Sequence, residues 1–277
     1  LNQQYEQSQN ACKSIVTEDK AIKEQAKRTE FSAYLANLKF ISSAEESLIF
    51  NHFMNKITED EQQFMYELLG HKYLEQKDYA KAFLCHNEVN SLYPNHDLKI
   101  IEALFDFVEK PSKNKLEAKL LGDKLGDEKH ALNVLNDLKG TYFLFTEDFI
   151  DALIYFRKVP SNFKILDNYT RYNYNTGVDE IIEGFDGFGK ISGRIFSAAV
   201  RSYFEDTEEN ALTDLTYKEP QFSFIKEKMN KLQLVETIIK LQELSIQKGE
   251  IGAKANYLLA NYFFNTTNAG YYRNIPY

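Results

Sequence analysis

The feature that most constrains this chain is an internal repeat of small and aromatic residues at helical spacing. The first copy reappears 70 residues later, where Gly70, Tyr73, Tyr79, Ala82 and His86 correspond to Gly140, Phe143, Phe149, Ala152 and Phe156. In each copy, a glycine on one predicted helix and an alanine on the next let the backbones approach, and aromatic side chains fill the remaining space. The repeat predicts helical hairpins, which need stacked neighbours to bury their apolar faces.

Both copies resemble the tetratricopeptide repeat (TPR), a helix–turn–helix unit of about 34 residues. In the first copy the resemblance rests on Leu69, Gly70, Tyr73, Tyr79, Ala82 and Pro94. Pro94 cannot continue a helix and therefore ends the second one. His86 and Val89 depart from the family pattern, in which a large aromatic residue and an alanine are usual. The resemblance implies a superhelix with a concave groove that binds peptides or partner domains, and it implies no catalysis.

The spacing of the two copies leaves room for a third, degenerate hairpin between them, which residues 97–126 supply. We therefore predict TPR-like repeats over 59–160, preceded by N-terminal helices (1–58) that pack on the array. Residues 161–193 are rich in Gly, Tyr and Asn and predict an irregular loop or short hairpin. C-terminal helices (194–277) are expected to continue the solenoid. The predicted fold class is all-α, a TPR-like α–α superhelix with one irregular insertion.

Composition supports this class. Twelve Gly and five Pro in 277 residues leave few chain breakers, whereas a sandwich or barrel needs a turn signal about every 8–12 residues. The hydrophobic fraction of 43% is sufficient for a folded core. No apolar run approaches the roughly 18 residues that a membrane span requires. We therefore expect no transmembrane segment in this chain.

The C-terminal region resembles a second group of proteins. Helices are predicted at Arg194–Tyr203 and from about Phe222 to Lys248, with Met229 on the apolar stripe of the longer one. The long helix precedes the segment Tyr257–Asn265 and then Gly270–Tyr272, a pairing similar to that in uncharacterised helical-repeat proteins of Bacteroidota cell envelopes. The resemblance favours the periplasm or an outer-membrane lipoprotein over the cytoplasm. Because the sequence begins without Met and ends abruptly, we expect a processed or truncated piece.

Charge and cysteine content exclude some functions. The net charge is −8 and the basic residues are scattered, which disfavours nucleic acid as a partner. Two cysteines are too few for a disulfide framework. Whether Cys12 and Cys85 pair is left open, and the helical register predicts that Cys85 is a small buried hydrophobe.

The repeat register also predicts residues of a binding groove: Glu67, His71 and Leu74 in the first copy, and Asp137 and Thr141 in the second. TPR domains that clamp a C-terminal carboxylate carry Lys, Asn and Arg on this face. Acidic and apolar groups replace those bases here, so like-charge repulsion opposes a carboxylate clamp. We expect a basic or apolar segment of a partner protein instead.

A second candidate binding surface lies in the irregular segment and comprises Tyr169, Arg171, Tyr172 and Tyr174. Tyr and Arg are enriched at protein interfaces and can also stack on sugars or bases. The net negative charge favours a protein partner over nucleic acid. The alternative is a glycan- or small-ligand-binding helical protein of the bacterial cell envelope, with this segment as its site.

Three local patterns could indicate chemistry, and each lacks a required element. Residues 184–190 satisfy GxxxxGK, but Ile191 stands where a phosphate loop needs Ser or Thr. The acids at 179, 183 and 186 lack the spacing of a calcium loop. His71, Cys85 and His86 could approach one another, but no HExxH or CxxC spacing is present to support a zinc site. We therefore predict a non-enzymatic scaffold or adaptor without catalytic residues, metal or cofactor, which binds another protein, including within a larger complex.

Overall fold

A computed structural model provides the structure of the protein. It describes residues 2–55, 57–87, 91–92, 97–161, 163, 169–173, 178–182, 191–198 and 216–267. Most of these residues are helical, which confirms the predicted all-α class. Within the described ranges, no helix is both long enough and apolar enough to cross a bilayer.

The chain packs into two compact units. The first comprises Leu1–Leu92 and Asp97–Leu132, and the second contains Asn133–Tyr277. The helices described in the first unit are α1 (Asn2–Lys13), α2 (Lys20–Asn37), α3 (Ser43–Ile49), α4 (Glu59–Glu75), α5 (Tyr79–His86), α6 (Leu98–Glu109) and α7 (Lys115–Leu125). A π-helical segment, Phe50–Met54, directly follows α3. The division between the units falls inside the predicted repeat region and not at its ends.

Capping side chains fix where two of these helices begin. The sequence pattern from Thr58 to Glu61 is typical of a capping box, and the structure contains it: the Thr58 amide donates to Glu61 Oε2 at 2.9 Å, and the Glu61 amide donates to Thr58 Oγ1 at 3.3 Å. The sequence from Ser43 to Glu46 has the same pattern, but the capping box that forms there begins one residue earlier. Ser42 is the actual cap of α3, and Glu45 reaches back to its amide. The displacement leaves Glu46 buried.

Apolar side chains from most of these helices meet in the core of the first unit. Its largest fully buried apolar side chains include Phe31, Ile49, Met65, Leu69, Leu84 and Ile101. The rings of Phe31 on α2 and Phe53 on the π-helical segment lie 5.0 Å apart. Aromatic contacts of this kind add stability beyond the buried area alone.

The second unit combines helices with short strands. The described elements are the helices α8 (Glu128–Phe145, which crosses the unit boundary), α9 (Phe149–Phe156), α10 (Lys231–Ser245) and α11 (Glu250–Asn265), and the strands β1 (Tyr169–Asn173), β2 (Val178–Ile182), β3 (Ile191–Ser192) and β4 (Lys228–Met229). Strands β1 and β2 pair antiparallel, as do β3 and β4. The β1–β2 pair lies within 161–193, the segment for which we predict an irregular loop or short hairpin.

Two helix predictions in this unit are wrong at their boundaries. The long helix starts at Lys231 and not near Phe222, because Asn230 and Gln233 form a capping box there. Met229, predicted on the helical stripe, pairs with Ile191 between β4 and β3. The helix expected over 194–203 is a 3₁₀ turn, Gly193–Phe196, followed by a bend at 197–198; residues 199–203 lie outside the described ones.

Two asparagines of α11 have a clear structural role. Asn265, at the end of α11, is fully buried and donates to the carbonyl oxygens of Ile195 (2.9 Å) and Ser197 (3.2 Å). Asn261, one turn earlier, donates to the carbonyl of Phe196 at 3.1 Å. These amides hydrogen-bond buried carbonyls at the end of the 3₁₀ turn. The two asparagines therefore attach the 3₁₀ turn to α11.

The hairpins α4–α5 and α8–α9, which correspond to the sequence repeat, have the same turn. Lys77 and Glu147, 70 residues apart, adopt positive φ angles of 63° and 62°. The next residues, Asp78 and Asp148, donate their amides to the carbonyl five positions earlier at 2.9 Å in both turns. Each aspartate side chain then accepts from the amide three residues later at 3.3 Å and caps the following helix.

The glycine of each hairpin contacts a ring of the second helix. A Cβ added at Gly70 would lie 2.3 Å from the ring of His86, and one at Gly140 would lie 2.7 Å from the ring of Phe156. The sequence pattern pairs Gly70 with Ala82, but in the structure the side chain nearest to Gly70 is His86. The His86 imidazole of the first copy therefore occupies the position that the Phe156 ring occupies in the second copy. This accounts for the departure of His86 from the aromatic pattern.

Candidate functional site

The predicted groove residues of the first copy share one open surface of α4. Glu67, His71 and Leu74 follow one another at intervals of one helical turn and therefore lie on the same face. All three are exposed, and Leu74 retains 53% of its accessible surface. On the opposite side of the helix, Leu69 and Tyr73 are buried in the core. We call Glu67, His71 and Leu74 the α4 surface.

A second imidazole from α5 adjoins the α4 surface. The rings of His71 and His86 lie 4.9 Å apart at an interplanar angle of 64°. Burial and the neighbouring His71 lower the pKa of His86, and the opposing attraction of Glu67 is smaller. His86 is therefore neutral at pH 7. The surface thus combines a carboxylate, a neutral imidazole and an exposed leucine.

The equivalent residues of the second copy are covered. Asp137 and Thr141 have no exposed surface. The ammonium group of Lys231, at the start of α10, donates to Asp137 Oδ2 at 2.9 Å and to Thr141 Oγ1 at 2.8 Å. The structure therefore corrects the expectation that these two residues line an open groove.

The ammonium group of Lys231 is itself almost fully buried, with 2% of the residue exposed. It lies 5.9 Å from the centre of the Phe156 ring, and Leu144, one turn beyond Thr141, belongs to the same core at 4% exposure. A buried charge is tolerated only when it is paired and hydrogen-bonded. Asp137 and Thr141 provide that compensation for Lys231.

The second predicted surface is described only in part. Tyr169, Arg171 and Tyr172 lie in β1, for which the structure describes the backbone alone, and Tyr174 lies outside the described residues. Their role in binding a protein or a glycan stays a prediction.

The sequence patterns for phosphate and metal binding acquire no new support. The GxxxxGK segment, 184–190, and the acids at 183 and 186 lie outside the described residues. Cys12 and Cys85 are both free thiols. Among the residues that the structure describes, no three or more His, Cys, Asp or Glu side chains are grouped to hold a metal ion.

The first unit contains a buried ionic cluster that the sequence does not predict. Glu46 and Glu117 each expose 1% of their surface, and Lys81 contacts both, at 2.7 and 3.0 Å. The Tyr73 hydroxyl donates to Glu46 at 2.8 Å, and Lys110 donates to Glu117 at 2.7 Å. In the sequence, Glu46 has the spacing of a capping acid from Ser43. Glu46, Lys81 and Glu117 are far apart in the sequence, so no local pattern indicates that their side chains meet.

The charges in this cluster stabilise one another. Burial tends to raise the pKa of Glu117, but hydrogen bonds from Lys110 and the Asn114 backbone lower it overall. Burial tends to lower the pKa of Lys81, whereas Glu46 and Asp78 raise it above its usual value. A carboxylate and an ammonium held in their charged forms are poor proton-transfer groups at neutral pH. The cluster therefore joins α3, α4, α5 and α7 and does not resemble an active site.

Comparison with protein-family models, with curated proteins and with solved structures finds no match for this chain. The resemblances to TPR proteins and to Bacteroidota envelope proteins therefore remain predictions. The α4 surface is the candidate site, because there the predicted binding residues lie together and are exposed.

Proposed function

We propose that this protein is a non-enzymatic scaffold of TPR-like helical hairpins, and that the α4 surface binds a helix of a partner protein through a lysine of that helix. The observation that carries the proposal is internal to the chain. The corresponding surface of the second hairpin is covered by α10, whose Lys231 pairs with the acid there.

The two surfaces correspond residue by residue. Glu67 corresponds to Asp137, and His71 corresponds to Thr141, each 70 positions apart, in hairpins whose turns have the same hydrogen bonds. Leucines at 74 and 144 complete the two sets. Each set therefore offers a carboxylate, a hydrogen-bond acceptor and an apolar side chain in the same order along one helix. In the second hairpin, this arrangement accepts a lysine-bearing helix.

A partner helix would make three contacts on the α4 surface. Its lysine would pair with Glu67 and donate to the imidazole of His71, and an apolar neighbour would cover Leu74. Covering the exposed half of Leu74 contributes about 1 kcal/mol, and an ion pair that stays partly exposed contributes about 0–1 kcal/mol. Affinity would therefore depend on additional apolar contacts around this centre, while the charge selects a basic partner.

The packing within each unit supports the TPR-like arrangement that we propose for the hairpins. In the first unit α5 packs on α6, and in the second unit α9 packs on α10. In both cases, the second helix of a hairpin is followed in space by a further helix. Stacking of this kind gives each hairpin the neighbour it needs to bury its apolar side.

The proposal can be tested by selecting helical peptides from a display library for binding to the full chain. We expect the selected peptides to carry a lysine within an apolar stripe. Their binding should be lost in the variants Glu67→Lys and Leu74→Asp, because the first repels the lysine and the second places a charge in the apolar contact.

Glu109→Lys is the matched control, because Glu109 is an exposed acid on α6 and its replacement makes the same change of charge. Peptides that bind both Glu67→Lys and Leu74→Asp as well as the unsubstituted chain would contradict the proposal. So would peptides that lose binding to all three variants equally. The variants' circular dichroism spectra and melting temperatures would show that the fold is retained.

A further inference from the structure

The first unit contains a pocket of about 350 Å³ that the proposed scaffold function does not use. It lies between α1, α2 and the π-helical segment Phe50–Met54. Its polar and reactive side chains are Cys12, Lys13, Lys23, Lys27, Glu30 and His52. Small-molecule pockets in proteins usually have volumes of about 300–1,000 Å³. We refer to this cavity as the α1–α2 pocket.

Positive charge predominates in the lining of the α1–α2 pocket, although the chain as a whole carries a net charge of −8. Three of the lining side chains are lysines, and one is a carboxylate. Lys23 Nζ lies 3.6 Å from Glu18 Oε2, and both side chains are largely exposed. Exposed ion pairs contribute little to stability, so such a lysine can exchange its partner for a ligand at low cost.

Glu30 is the one carboxylate in the lining of the pocket, whereas Glu18 and Glu61, which pair with Lys23 and Lys27, lie outside the lining. Glu30 Oε1 is 3.8 Å from Lys13 Nζ and 3.4 Å from His52 Nε2. The Glu30 side chain is 14% exposed, whereas that of Lys13 is 53% exposed. The lysine is therefore accessible to solvent while its carboxylate partner is held in the wall. The Glu30 carboxylate also repels an anion that enters the pocket.

The π-helical segment determines the position of His52. π-Helical turns are rare and frequently occur at functional sites. Here the segment directs the imidazole to Glu30, while the neighbouring Phe53 packs edge-on against the imidazole at 4.8 Å and is itself buried. Ile15 and Ala26 give the pocket an apolar side. The lining therefore offers cationic groups for an anion and an apolar surface for an organic substituent.

We propose that the α1–α2 pocket binds a small organic molecule with a phosphate group. The ammonium group of lysine binds phosphate well as a point charge with three donor hydrogens. Three lysines around one cavity match the two negative charges of a phosphate group better than they match the single charge of a carboxylate ligand. The volume exceeds what inorganic phosphate fills, and Ile15 and Ala26 suit the remainder of an ester. This site is separate from the α4 surface, and neither proposal depends on the other.

Cys12 provides a native reporter for the pocket. It lines the cavity and is partly exposed, whereas Cys85 is 1% exposed and burial raises the pKa of its thiol. A thiol reagent should therefore modify Cys12 in the folded chain and spare Cys85. Phenyl phosphate at constant ionic strength should slow alkylation of Cys12 by iodoacetamide. Benzyl alcohol and equimolar chloride should not.

Substitutions give effects of opposite sign. Lys13→Gln and Lys23→Gln should each weaken the protection by phenyl phosphate about 2- to 5-fold, because each removes one partly exposed ion pair with the ligand. Glu30→Gln should strengthen it, because it removes the one lining carboxylate. Lys20→Gln is the matched control: Lys20 lies on the same helix, its side chain is 87% exposed, and it does not line the pocket.

Three results would overturn the proposal: equal protection by chloride, equal weakening by Lys20→Gln and Lys23→Gln, or no strengthening by Glu30→Gln. Thermal unfolding with and without phenyl phosphate gives a second readout, because a ligand that binds only the folded state raises Tm. Inorganic phosphate should protect more weakly than phenyl phosphate. Equal protection by the two would show that the apolar side contributes nothing and that the ligand is a free phosphate ion.

Discussion

The hairpins α4–α5 and α8–α9 differ at the outer face of their first helices. Their turns agree in backbone angles and in hydrogen bonds, and both place a ring over a glycine. Nevertheless Leu74 is 53% exposed, whereas Leu144 at the equivalent position is 4% exposed. The hairpin therefore determines which way a side chain faces. A third helix determines whether that face is surface or core.

The acids on these faces show the same contrast. Asp137 is fully buried and pairs with the buried ammonium of Lys231, whereas Glu67 remains exposed. Burying a carboxylate without a cation costs roughly several kcal/mol. Because Lys231 supplies that cation to Asp137, α10 can cover the second hairpin. The exposed acid needs no such partner, because water solvates it. The second hairpin thus shows that a helix that covers this face brings a lysine to pair with its acid. A helix that covers the first hairpin would need the same side chain.

The largest effect is expected from Lys231→Met. The substitution removes the ammonium group and leaves the Asp137 carboxylate buried without its cation. Breaking a buried ion pair from one side costs about 3–5 kcal/mol, which we expect as a loss of unfolding free energy in urea titrations. Lys248→Met, at an exposed position after α10, is the control and should be close to neutral.

The double variant Lys231→Met/Asp137→Leu distinguishes the charge from the packing. Replacing both partners with apolar residues removes the uncompensated charge, so much of the lost stability should return. The coupling between the sites should therefore be strongly non-additive. Additive losses in the double variant would show that Lys231 stabilises the fold through its methylene chain and not through Asp137.

The next effect concerns the two leucines. Leu144→Ala should cost about 2–5 kcal/mol, because it leaves a cavity in the core of the second unit. Leu74→Ala should change the unfolding free energy by less than about 0.5 kcal/mol, because Leu74 is half exposed. Denaturant titrations of both variants measure the difference. Equal losses would mean that the two faces are covered alike, which would remove the basis of the proposed binding surface.

A smaller difference is expected between the two glycines. An added Cβ at Gly140 would clash with the ring of Phe156, which is fully buried and cannot move away, so Gly140→Ala should cost about 1–3 kcal/mol. At Gly70 the obstacle is the exposed imidazole of His86, which can rotate into solvent. Gly70→Ala should therefore cost less than Gly140→Ala. The order would be reversed if the His86 ring were fixed in place.

Local signals in the sequence were enough to predict the hairpins. The glycines at 70 and 140 indicate a close approach, and Thr58 with Glu61 marks the start of α4 within a few residues. The burial of Asp137 gave no such signal, because its partner Lys231 lies 94 positions away. Periodicity places a residue on a helix face, but the helix that covers the face belongs to tertiary structure.

The same limit explains the errors at the ends of elements. Met229 continues the apolar spacing of α10, yet it lies in β4 because its backbone pairs with Ile191, 38 residues earlier. The ionic cluster around Lys81 likewise depends on Glu46, 35 positions away. In each case the deciding contact lies far along the chain. The lining of the α1–α2 pocket was missed for a related reason, since His52 meets Glu30 through a π-helical turn with no sequence signature of its own.

The smallest expected effect is a pH dependence of stability that distinguishes the two rings covering the glycines, His86 and Phe156. The folded-state pKa of His86 is lowered by burial and by His71, with Glu67 opposing, so the unfolded chain binds a proton first as pH falls. Stability from this group is complete above its unfolded pKa of about 6.5 and decreases as pH falls towards the lower folded pKa. Phe156 cannot titrate, so the second hairpin lacks this dependence.

His86→Phe should therefore reduce the loss of unfolding free energy between pH 7.5 and pH 5, measured by urea titration at both pH values. The carboxylates, including Glu67, titrate in both proteins, so the difference between the two profiles isolates the imidazole. His71→Gln should give part of the same effect, because it removes the neighbouring ring that lowers the pKa of His86. Identical pH profiles for the unsubstituted chain and His86→Phe would show that the imidazole remains hydrated. The contact with Gly70 would then be steric alone, as it is at Gly140.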